Sequence, residues 1–369
     1  MSDKLIFVSA GDPSGDNPSA RLLESLQARQ PSLSFFGLGG PKMAAAGLEQ
    51  MADPEDLAVF GFWEVFRKVG YFKKLLMKCA IAITDRRPDA IVLVDYPGFN
   101  LRLAKLTRHL GIPIIYYISP QVWAWGKRRL KDITELVDLM LVILPFEEDF
   151  YRDSKVNVRF VGHYLIEDIP DILISSSVPV AGPVALLPGS RRQEIARMLA
   201  PMLAAASRFN QKHGTRAVVA AIKGRYDYES ALATVNDSSI SVAYDRAREV
   251  VAESSMVVCS SGTATLETAI IGRPMVIIYK ASWMTYWVAR SVVKLKMIGL
   301  ANLVMGEAIV PELIQGRATA AAISAALERY RDDDDYRNGI IERLRKVPGL
   351  LGGEGASDRA AGYILENIC

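Results

Sequence analysis

Residues 187–195 read Leu-Pro-Gly-Ser-Arg-Arg-Gln-Glu-Ile and connect an apolar run to a segment with helical spacing. The run at 183–187 is short and apolar and ends at a proline, as a buried parallel strand does. The segment at 193–209 repeats its apolar residues at the helical period. We therefore predict a strand, a tight cationic turn and a helix in immediate succession.

The turn between this strand and helix has the features of an anion site. Gly189 and Ser190 allow a ligand to approach the backbone, and the N–H groups at a helix start attract negative charge. Arg191 can hold two phosphate oxygens at once. The turn thus predicts a diphosphate site, with an ordinary turn and solvated arginines as the alternative.

The composition narrows the class of protein. A chain of 369 residues suits two domains, and 50% of its residues are hydrophobic, which is enough to fill two cores. Lysine plus arginine number 44 against 41 aspartates plus glutamates, which argues against a nucleic-acid partner. The three cysteines and three histidines lack the spacing of a zinc site, so we expect a reduced, cytoplasmic chain.

The first residues lack an export pattern, and no segment reaches the ~18 apolar residues of a spanning helix.

Apolar runs suited to strands alternate with helix-like stretches along both halves of the chain. In the first half we expect strands at residues 4–10, 34–38, 90–94, 113–118 and 139–144. In the second half we expect them at 184–187, 216–221, 256–259 and 274–279. This alternation predicts an α/β protein with two facing Rossmann-like, doubly wound parallel-sheet domains and a ligand cleft between them. Prolines and small polar residues then interrupt the pattern, so we place the domain boundary near residue 170.

The first strand is followed by a loop with two glycines and two carboxylates. It lacks the G-x-G-x-x-G spacing of a dinucleotide site, and its carboxylates would repel a pyrophosphate. Asp12 or Asp16 could instead accept hydrogen bonds from sugar hydroxyls, with Ser14 and Gly15 beside them. The alternative is that Asp16 caps a helix that begins near Pro18.

Asp95 stands directly after the apolar run at 90–94. A partly buried carboxylate at a strand end is suited to a tuned pKa and to taking a proton from a hydroxyl nucleophile. Asp95 is therefore the candidate base, and a structural or helix-capping aspartate is the alternative.

A further loop, after the strand expected at 113–118, places two tryptophans beside three cations. Trp123 and Trp125 could stack on a sugar, and Arg128 could reach its phosphate. Alternatively, the tryptophans belong to the core and the cations are solvated.

In the second half, Ser261, Gly262 and Thr263 join a strand to a helix start, where hydroxyl and N–H groups can bind phosphate. Glu267 lies one helical turn further on and could hold ribose hydroxyls. A first-turn glutamate that only interacts with the helix dipole is the alternative.

Two segments, residues 62–77 and 283–298, are cationic, aromatic and amphipathic. Their aromatic side chains can enter the headgroup boundary of a membrane while lysines meet anionic lipid, and acyl chains could use the same surface. Core-facing helices are the alternative. In the first segment the candidates for contact with lipid or acceptor are Phe62, Trp63, Phe66 and Phe72.

Taken in order, these loops resemble one family. The motifs are Ala-Gly-Asp-Pro-Ser-Gly-Asp at 10–16, Val-Asp-Tyr-Pro-Gly-Phe-Asn at 94–100, Ser-Pro-Gln-Val-Trp-Ala-Trp at 119–125, Leu-Pro-Gly-Ser-Arg at 187–191 and Ser-Gly-Thr-Ala-Thr-Leu-Glu at 261–267. In this order they resemble the lipid-A-disaccharide synthases over nearly the whole chain. The resemblance implies an inverting glycosyltransferase of the GT-B type that needs no metal and no cofactor. Such enzymes join UDP-2,3-diacylglucosamine to 2,3-diacylglucosamine 1-phosphate and release UDP and the β-1,6 lipid A disaccharide.

The resemblance also implies roles for particular residues. Asp95 matches the catalytic base and Arg191 the diphosphate-binding arginine, while Glu267 and Asn302 match nucleotide-binding positions. Gln315 matches a residue that family members can contribute across a homodimer with exchanged C-termini. The chain departs from the family in its first loop, where Asp12 replaces a glutamate with a shorter carboxylate.

The resemblance further implies how the chain is organised and where it works. Residues 1–170 would form the acceptor and lipid side, and residues 171–345 the UDP-sugar domain. A C-terminal helix within 346–369 would pack back on the first domain or exchange in a dimer. The protein would be cytoplasmic and peripherally associated with the inner membrane.

Two other hypotheses fit a pair of facing Rossmann-like domains. One is a UDP-GlcNAc 2-epimerase, and the other is a non-catalytic protein that binds a UDP-sugar or lipid. The amphipathic segments favour the transferase, because an epimerase of soluble sugars needs no acyl or membrane surface.

Overall fold

The computed structural model describes residues 4–11, 13–52, 69–125, 127–174, 176–281 and 297–368. For residues 13, 69, 124, 125, 127 and 128 it describes the backbone only. The chain divides into two compact units. Unit 1 is Met1–Tyr164 with Gly352–Cys369, and unit 2 is Leu165–Leu351.

Unit 1 alternates short strands with helices. Its strands are β1 (Leu5–Ala10), β2 (Ser34–Leu38), β3 (Leu48–Gln50), β4 (Ala90–Val94), β5 (Ile114–Tyr117), β6 (Leu139–Val142) and β7 (Asn157–Phe160). Its helices are α1 (Pro13–Arg29), α2 (Pro41–Ala45), α3 (Val69–Arg86), α4 (Pro97–Thr107), α5 (Val122–Trp125), α6 (Lys127–Leu136), α7 (Pro145–Tyr151) and, after unit 2, α18 (Ala356–Ile368).

The strands of unit 1 form one parallel sheet in the order β3-β2-β1-β4-β5-β6-β7. The central strands β1, β4 and β5 are almost entirely buried, as expected for apolar strands with helices on both faces. The strand order reverses between β1 and β4, which places the carboxyl ends of these strands at the point where open α/β sheets bind ligands.

Unit 2 repeats the same architecture. Its strands are β8 (Val184–Leu187), β9 (Ala217–Ala221), β10 (Ile240–Tyr244), β11 (Met256–Ser260), β12 (Met275–Tyr279) and β13 (Glu312–Ile314). Its helices are α8 (Leu165–Asp168), α9 (Asp171–Ile174), α10 (Arg192–His213), α11 (Tyr228–Ala233), α12 (Ala247–Ala252), α13 (Thr263–Ile271), α14 (Leu300–Met305), α15 (Ala320–Asp332), α16 (Asp334–Leu344) and α17 (Val347–Leu350).

The sheet of unit 2 is also parallel, with the order β10-β9-β8-β11-β12-β13. Here the order reverses between β8 and β11, so their carboxyl ends form the corresponding ligand position. The prediction of two Rossmann-like, doubly wound parallel-sheet domains is therefore confirmed, because each unit consists of a parallel sheet and helices. No helix in the described ranges is long and apolar enough to cross a membrane.

The start of α1 differs from the prediction. The helix begins at Pro13 and contains Pro18, whereas we expected a loop through residue 17 and a helix from Pro18. The prediction was wrong because Pro13 can occupy the first helical turn, where its fixed φ is suitable and an N–H is not needed. Ser14, Gly15 and Asp16 therefore lie in the first turn of α1 rather than in a loop.

The strands β1 and β2 pack so closely that one position requires glycine. Gly37 has φ +145°, and a Cβ atom there would overlap the carbonyl oxygen of Val8 on the neighbouring strand. This close approach depends on a residue without a side chain.

The helix α18 packs on α1 within unit 1. The guanidinium of Arg29 donates two hydrogen bonds of 2.7 Å to the carboxylate of Asp358. Arg359 Nε donates to the carbonyl oxygen of Val161 at 2.8 Å, and Lys4 Nζ donates to that of Ile368 at 2.5 Å. The last described helix is thus held by the first helix, by the residue before β1 and by the residue after β7.

Candidate active site

Asp95 follows β4 directly, at the switch point of the first sheet. Asp95 and Tyr96 both have left-handed backbones, with φ of 43° and 45°, before α4 begins at Pro97. Two side chains hold this turn through the carbonyl oxygen of Asp95. Asn100 Nδ2 donates to it at 2.8 Å, and the Tyr116 hydroxyl donates to it at 2.5 Å. A strained backbone persists only where its surroundings fix it, and such positions cluster at functional sites.

Asn100 ties this turn to two strands. It is fully buried, receives a hydrogen bond from Ser9 Oγ at 2.7 Å, and donates to the carbonyl oxygen of Val94 at 3.1 Å. Its amide is therefore satisfied on both sides and anchors the candidate base to β1 and β4. The sequence motif contained Asn100, but its role as an anchor appears only when the strands are adjacent.

A cavity of about 280 Å³ opens beside Asp95. The loop after β5, the helix α6 and the start of α7 contribute its other walls, with Ser119, Gln121, Arg129 and Glu147 among the lining residues. The cavity thus combines a cation and two carboxyl groups. Arg129 and Glu147 were not predicted as site residues.

Glu147 is a buried carboxyl group at the wall of this cavity, with 1% of its surface exposed. It accepts hydrogen bonds from the backbone N–H of Leu144 at 3.0 Å and from Trp123 Nε1 at 3.1 Å. Burial raises the pKa of Glu147 to about 7, the negative charge of Asp95 adds to the rise, and the N–H donors oppose it. Trp123 is therefore held by Glu147, and its ring also packs edge-on against Phe146 at 5.1 Å.

Asp16 in α1 caps the neighbouring helix α2. Its carboxylate accepts hydrogen bonds from the backbone N–H groups of Lys42 and Met43, each at 3.1 Å. A Cβ atom on Gly40 would lie 2.5 Å from the Asp16 carboxyl carbon, so this cap needs glycine there. The expected capping role thus applies to α2 and not to α1.

The other predicted site residues of unit 1 lie on α1, on α3 or outside the described residues and side chains. Ser14 is exposed and Gly15 is buried on the first turn of α1. Phe72 packs edge-on against Phe99 at 5.1 Å, next to the Asp95 turn, as a core-facing residue would. Outside the described residues or side chains lie Asp12, Phe62, Trp63, Phe66, Trp125 and Arg128.

In unit 2 the cationic turn connects β8 to α10, as predicted. Gly189 has φ +112°, which favours glycine, and Arg191 is the extended residue just before α10. The Arg191 side chain is 82% exposed, and its closest acidic oxygen, on Glu194, is 3.4 Å away. Arg191 is thus a weakly held cation at the start of a helix.

The turn after β11 lies beside it, because β8 and β11 are neighbouring strands. Gly262 has φ +148° and precedes the start of α13 at Thr263. Both turns line one cavity of about 700 Å³, together with Ser190, Ser261 and Glu267. The structure therefore brings together the predicted phosphate turns and the predicted ribose residue.

Arg248, at the start of α12, is a residue of this cavity that was not predicted. Its Nε donates to Glu267 Oε1 at 2.8 Å, and its Nη2 lies 2.7 Å from the same oxygen. Its Nη1 donates to the carbonyl oxygen of Asp168 at 2.7 Å. Arg248 follows the edge strand β10. Because β10 is not a continuous buried apolar run, the sequence predicted neither this strand nor a site residue after it.

Neither Asn302 nor Gln315 is among the described residues that line this cavity. Asn302 is fully buried, accepts from the backbone N–H of Ile309 at 2.9 Å and donates to Glu312 Oε1 at 2.8 Å. The Gln315 amide exchanges two hydrogen bonds with the backbone of Ala281, at 2.8 and 3.2 Å. Both side chains hold local backbone, and their nucleotide-binding roles remain predictions.

Comparison with known proteins identifies the family. The family model for lipid-A-disaccharide synthetase matches residues 6–348. A lipid-A-disaccharide synthase of Myxococcus xanthus is 40% identical over 373 residues, covering 98% of this chain and 97% of the relative.

Solved structures with the same fold are more distant. A UDP-GlcNAc 2-epimerase from Neisseria meningitidis, bound to UDP-GlcNAc, has a TM-score of 0.63 at 10% identity, covering 98% of this chain and 100% of its own. The calicheamicin glycosyltransferase CalG4 has a TM-score of 0.64 at 17% identity, covering 100% and 99%. These two show the fold alone, whereas the family model and the M. xanthus relative show descent and activity. The chain belongs to the lipid-A-disaccharide synthase family and is a glycosyltransferase of lipid A biosynthesis.

Proposed function

We propose that this chain joins UDP-2,3-diacylglucosamine to 2,3-diacylglucosamine 1-phosphate with Asp95 as the base and Arg191 as the residue that stabilises the departing UDP. The observation that carries this proposal is the Asp95 turn. An aspartate at a strand end, whose strained backbone is anchored through its carbonyl oxygen by Asn100 and Tyr116 and which borders a cavity, is suited to act on a bound hydroxyl group.

The proposed step is a direct displacement. Asp95 takes the proton of the acceptor 6-hydroxyl while that oxygen forms a bond to the anomeric carbon of the donor. The bond between the anomeric carbon and the β-phosphate oxygen breaks, and its electron pair leaves with UDP. No bond between sugar and enzyme forms, and one displacement inverts the anomeric centre.

Unit 2 offers the charge stabilisation that the departing UDP requires. Arg191 is exposed and is held only at 3.4 Å by Glu194, so its guanidinium can turn to a phosphate at little cost. The helix starts of α10 and α13 border the same cavity as Arg191. Positive helix ends and a guanidinium that are in place before reaction stabilise charge as it develops.

We also propose that unit 1 contacts the cytoplasmic surface of the inner membrane through α3. Met77 and Ile81 are about one turn apart on this helix and are 50% and 55% exposed. Lys73, Lys74 and Lys78 border the same surface, which we call the α3 patch. Exposed apolar side chains flanked by lysines fit the boundary of an anionic bilayer, from which acylated substrates would enter. A homodimer with exchanged C-terminal helices, to which Gln315 would contribute, remains a prediction from the family.

The roles of Asp95 and Arg191 are tested by separating turnover from UDP binding. For purified Asp95→Asn we expect a kcat roughly 10²- to 10⁴-fold below wild type, the usual contribution of a positioned base, with unchanged UDP affinity by calorimetry. For Arg191→Ala we expect UDP affinity roughly 10-fold lower or more, from the loss of charged hydrogen bonds. Asp153→Asn is the control, because Asp153 is exposed and is not among the residues that line the cavity beside Asp95.

Each outcome decides one assignment. Wild-type turnover in Asp95→Asn would remove Asp95 as the base, and wild-type UDP affinity in Arg191→Ala would remove Arg191 from the diphosphate site. Products distinguish the chemistry, because a transferase releases disaccharide and UDP whereas an epimerase returns an isomerised UDP-sugar.

A further inference from the structure

The guanidinium of Arg248 is held by two acceptors through all three of its nitrogens. Its Nε and Nη2 both point at Glu267 Oε1, at 2.8 and 2.7 Å, and its Nη1 donates to the carbonyl oxygen of Asp168. The Arg248 and Glu267 side chains are only 31% and 23% exposed. A guanidinium held on three sides has little rotational freedom, so it fixes the position of Glu267 Oε1.

The second oxygen of Glu267 has a different setting. Among the described residues, no hydrogen bond reaches Glu267 Oε2, although Glu267 lines the cavity with Arg191 and Gly262. An ionised carboxylate oxygen only accepts hydrogen bonds, so its natural ligand is a hydroxyl or N–H donor. Arg248 therefore occupies one oxygen and leaves the other to a ligand.

The charged side chains around the cavity give a second reason to assign a role to the pair of Arg248 and Glu267. Four carboxylates border the cavity, at Glu194, Asp245, Glu249 and Glu267, against two guanidinium groups, at Arg191 and Arg248. A cavity with this balance would repel a diphosphate unless the nearest carboxylates were neutralised. Arg248 neutralises Glu267, which permits a carboxylate close to a diphosphate ligand.

We propose that Arg248 is a positioning residue that presents Glu267 Oε2 to the ribose hydroxyls of the nucleotide and so sets the preference of the site for ribonucleotides over 2′-deoxyribonucleotides. This role rests on the proposed donor site of unit 2, and on Glu267 as its ribose residue. A site built to bond a hydroxyl rejects an analogue without it, because the polar group of the site then stays unpaired.

The experiment compares UDP with 2′-deoxy-UDP by titration calorimetry on the full chain. For wild type we expect UDP to bind roughly 10-fold more tightly or better. For Arg248→Gln we expect weaker UDP binding. We also expect the ratio of the affinity for UDP to the affinity for 2′-deoxy-UDP to fall to about one. Arg248→Lys retains the charge with a single donor group and should restore part of the ratio. The control is Arg246→Gln on the same helix end, since Arg246 pairs with Glu253 at 3.2 Å and does not line the cavity.

The variants separate two kinds of failure. If Glu267→Ala retains the wild-type ratio, Glu267 is not the ribose residue and the donor-site proposal is wrong at that position. If Glu267→Ala loses the ratio and Arg248→Gln retains it, Arg248 has no positioning role. If Arg248→Gln does not fold, the Arg248→Lys variant decides, because a ratio equal to wild type in a folded Lys variant would overturn the role of the paired donors. If both single variants lose the ratio and the double variant loses no more, the two residues act as one unit.

Discussion

Replacing Glu147 by glutamine changes how the stability of the protein depends on pH. In the folded chain, burial raises the pKa of Glu147 to about 7 from an ordinary 4.5, against the effect of its N–H donors. The folded state therefore holds this proton more tightly than the unfolded state. The contribution to the free energy of unfolding is complete below pH 4.5, falls as pH rises from 4.5 to 7, and is lost above pH 7.

The size of the effect follows from the two pKa values. Because one pKa unit corresponds to 1.36 kcal/mol, the full change is about 3 kcal/mol as an upper value. Glu147 is 1% exposed, so solvent screens it little. Glutamine cannot titrate, so the fall between pH 5 and pH 8 should be smaller in Glu147→Gln by about 2 to 3 kcal/mol.

Urea unfolding followed by circular dichroism at pH 5 and pH 8 measures this difference. Glutamine resembles the protonated carboxyl group of Glu147, so Glu147→Gln should compare more favourably with wild type at pH 8, where the buried carboxylate is charged, than at pH 5. The decisive quantity is therefore the change between the two pH values and not either value alone. Glu148→Gln, on the exposed side of the same helix, should follow wild type. An equal pH dependence in wild type and Glu147→Gln would refute burial as the cause of the raised pKa.

Two further predictions concern packing and the membrane. Gly37→Ala should lower the free energy of unfolding by more than about 3 kcal/mol, because a Cβ overlaps Val8 and φ is +145°. Gly98→Ala, where the new Cβ meets no other part of the structure within 4 Å beyond its neighbours and its own helix backbone, should change it by less than about 0.5 kcal/mol, and equal losses in urea titrations would contradict this. Met77→Ser with Ile81→Ser should reduce binding to phosphatidylglycerol vesicles roughly 10-fold or more at unchanged stability, because both side chains are half exposed. Unchanged vesicle binding would exclude the α3 patch.

The strands found from the sequence and the strands missed differ in their place in the sheets. Each interior strand is a buried apolar run, and all of the predicted runs correspond to strands. The strands missed are β3, β7, β10 and β13, which are the four edges of the two sheets. Edge strands have solvent on one side, so their burial alternates or is partial, and an apolar run does not mark them.

The residues of the candidate site also divide into those that the sequence predicted and those that it did not. The Asp95 and Arg191 turns were predictable in position because each directly follows an interior strand. Glu147 and Arg248 were not, since their significance lies in partners far along the chain or on another element. Glu147 meets Trp123 and borders the same cavity as Asp95, while Arg248 meets Glu267 and Asp168. Single polar residues in helices carry no pattern that identifies such contacts.

The packing of α18 on α1 has a consequence for synthesis. Unit 2 is one continuous stretch, Leu165–Leu351, but unit 1 is completed only by residues translated after it. At roughly 5 to 20 residues per second, the ribosome spends on the order of ten to forty seconds on that stretch.

During this interval α1 has been synthesised, but α18, which packs on it, has not. Until then Arg29 has no Asp358 to bind. The order of translation therefore makes unit 1 the last unit whose packing can be completed, although its first strand and helix are the first to be synthesised.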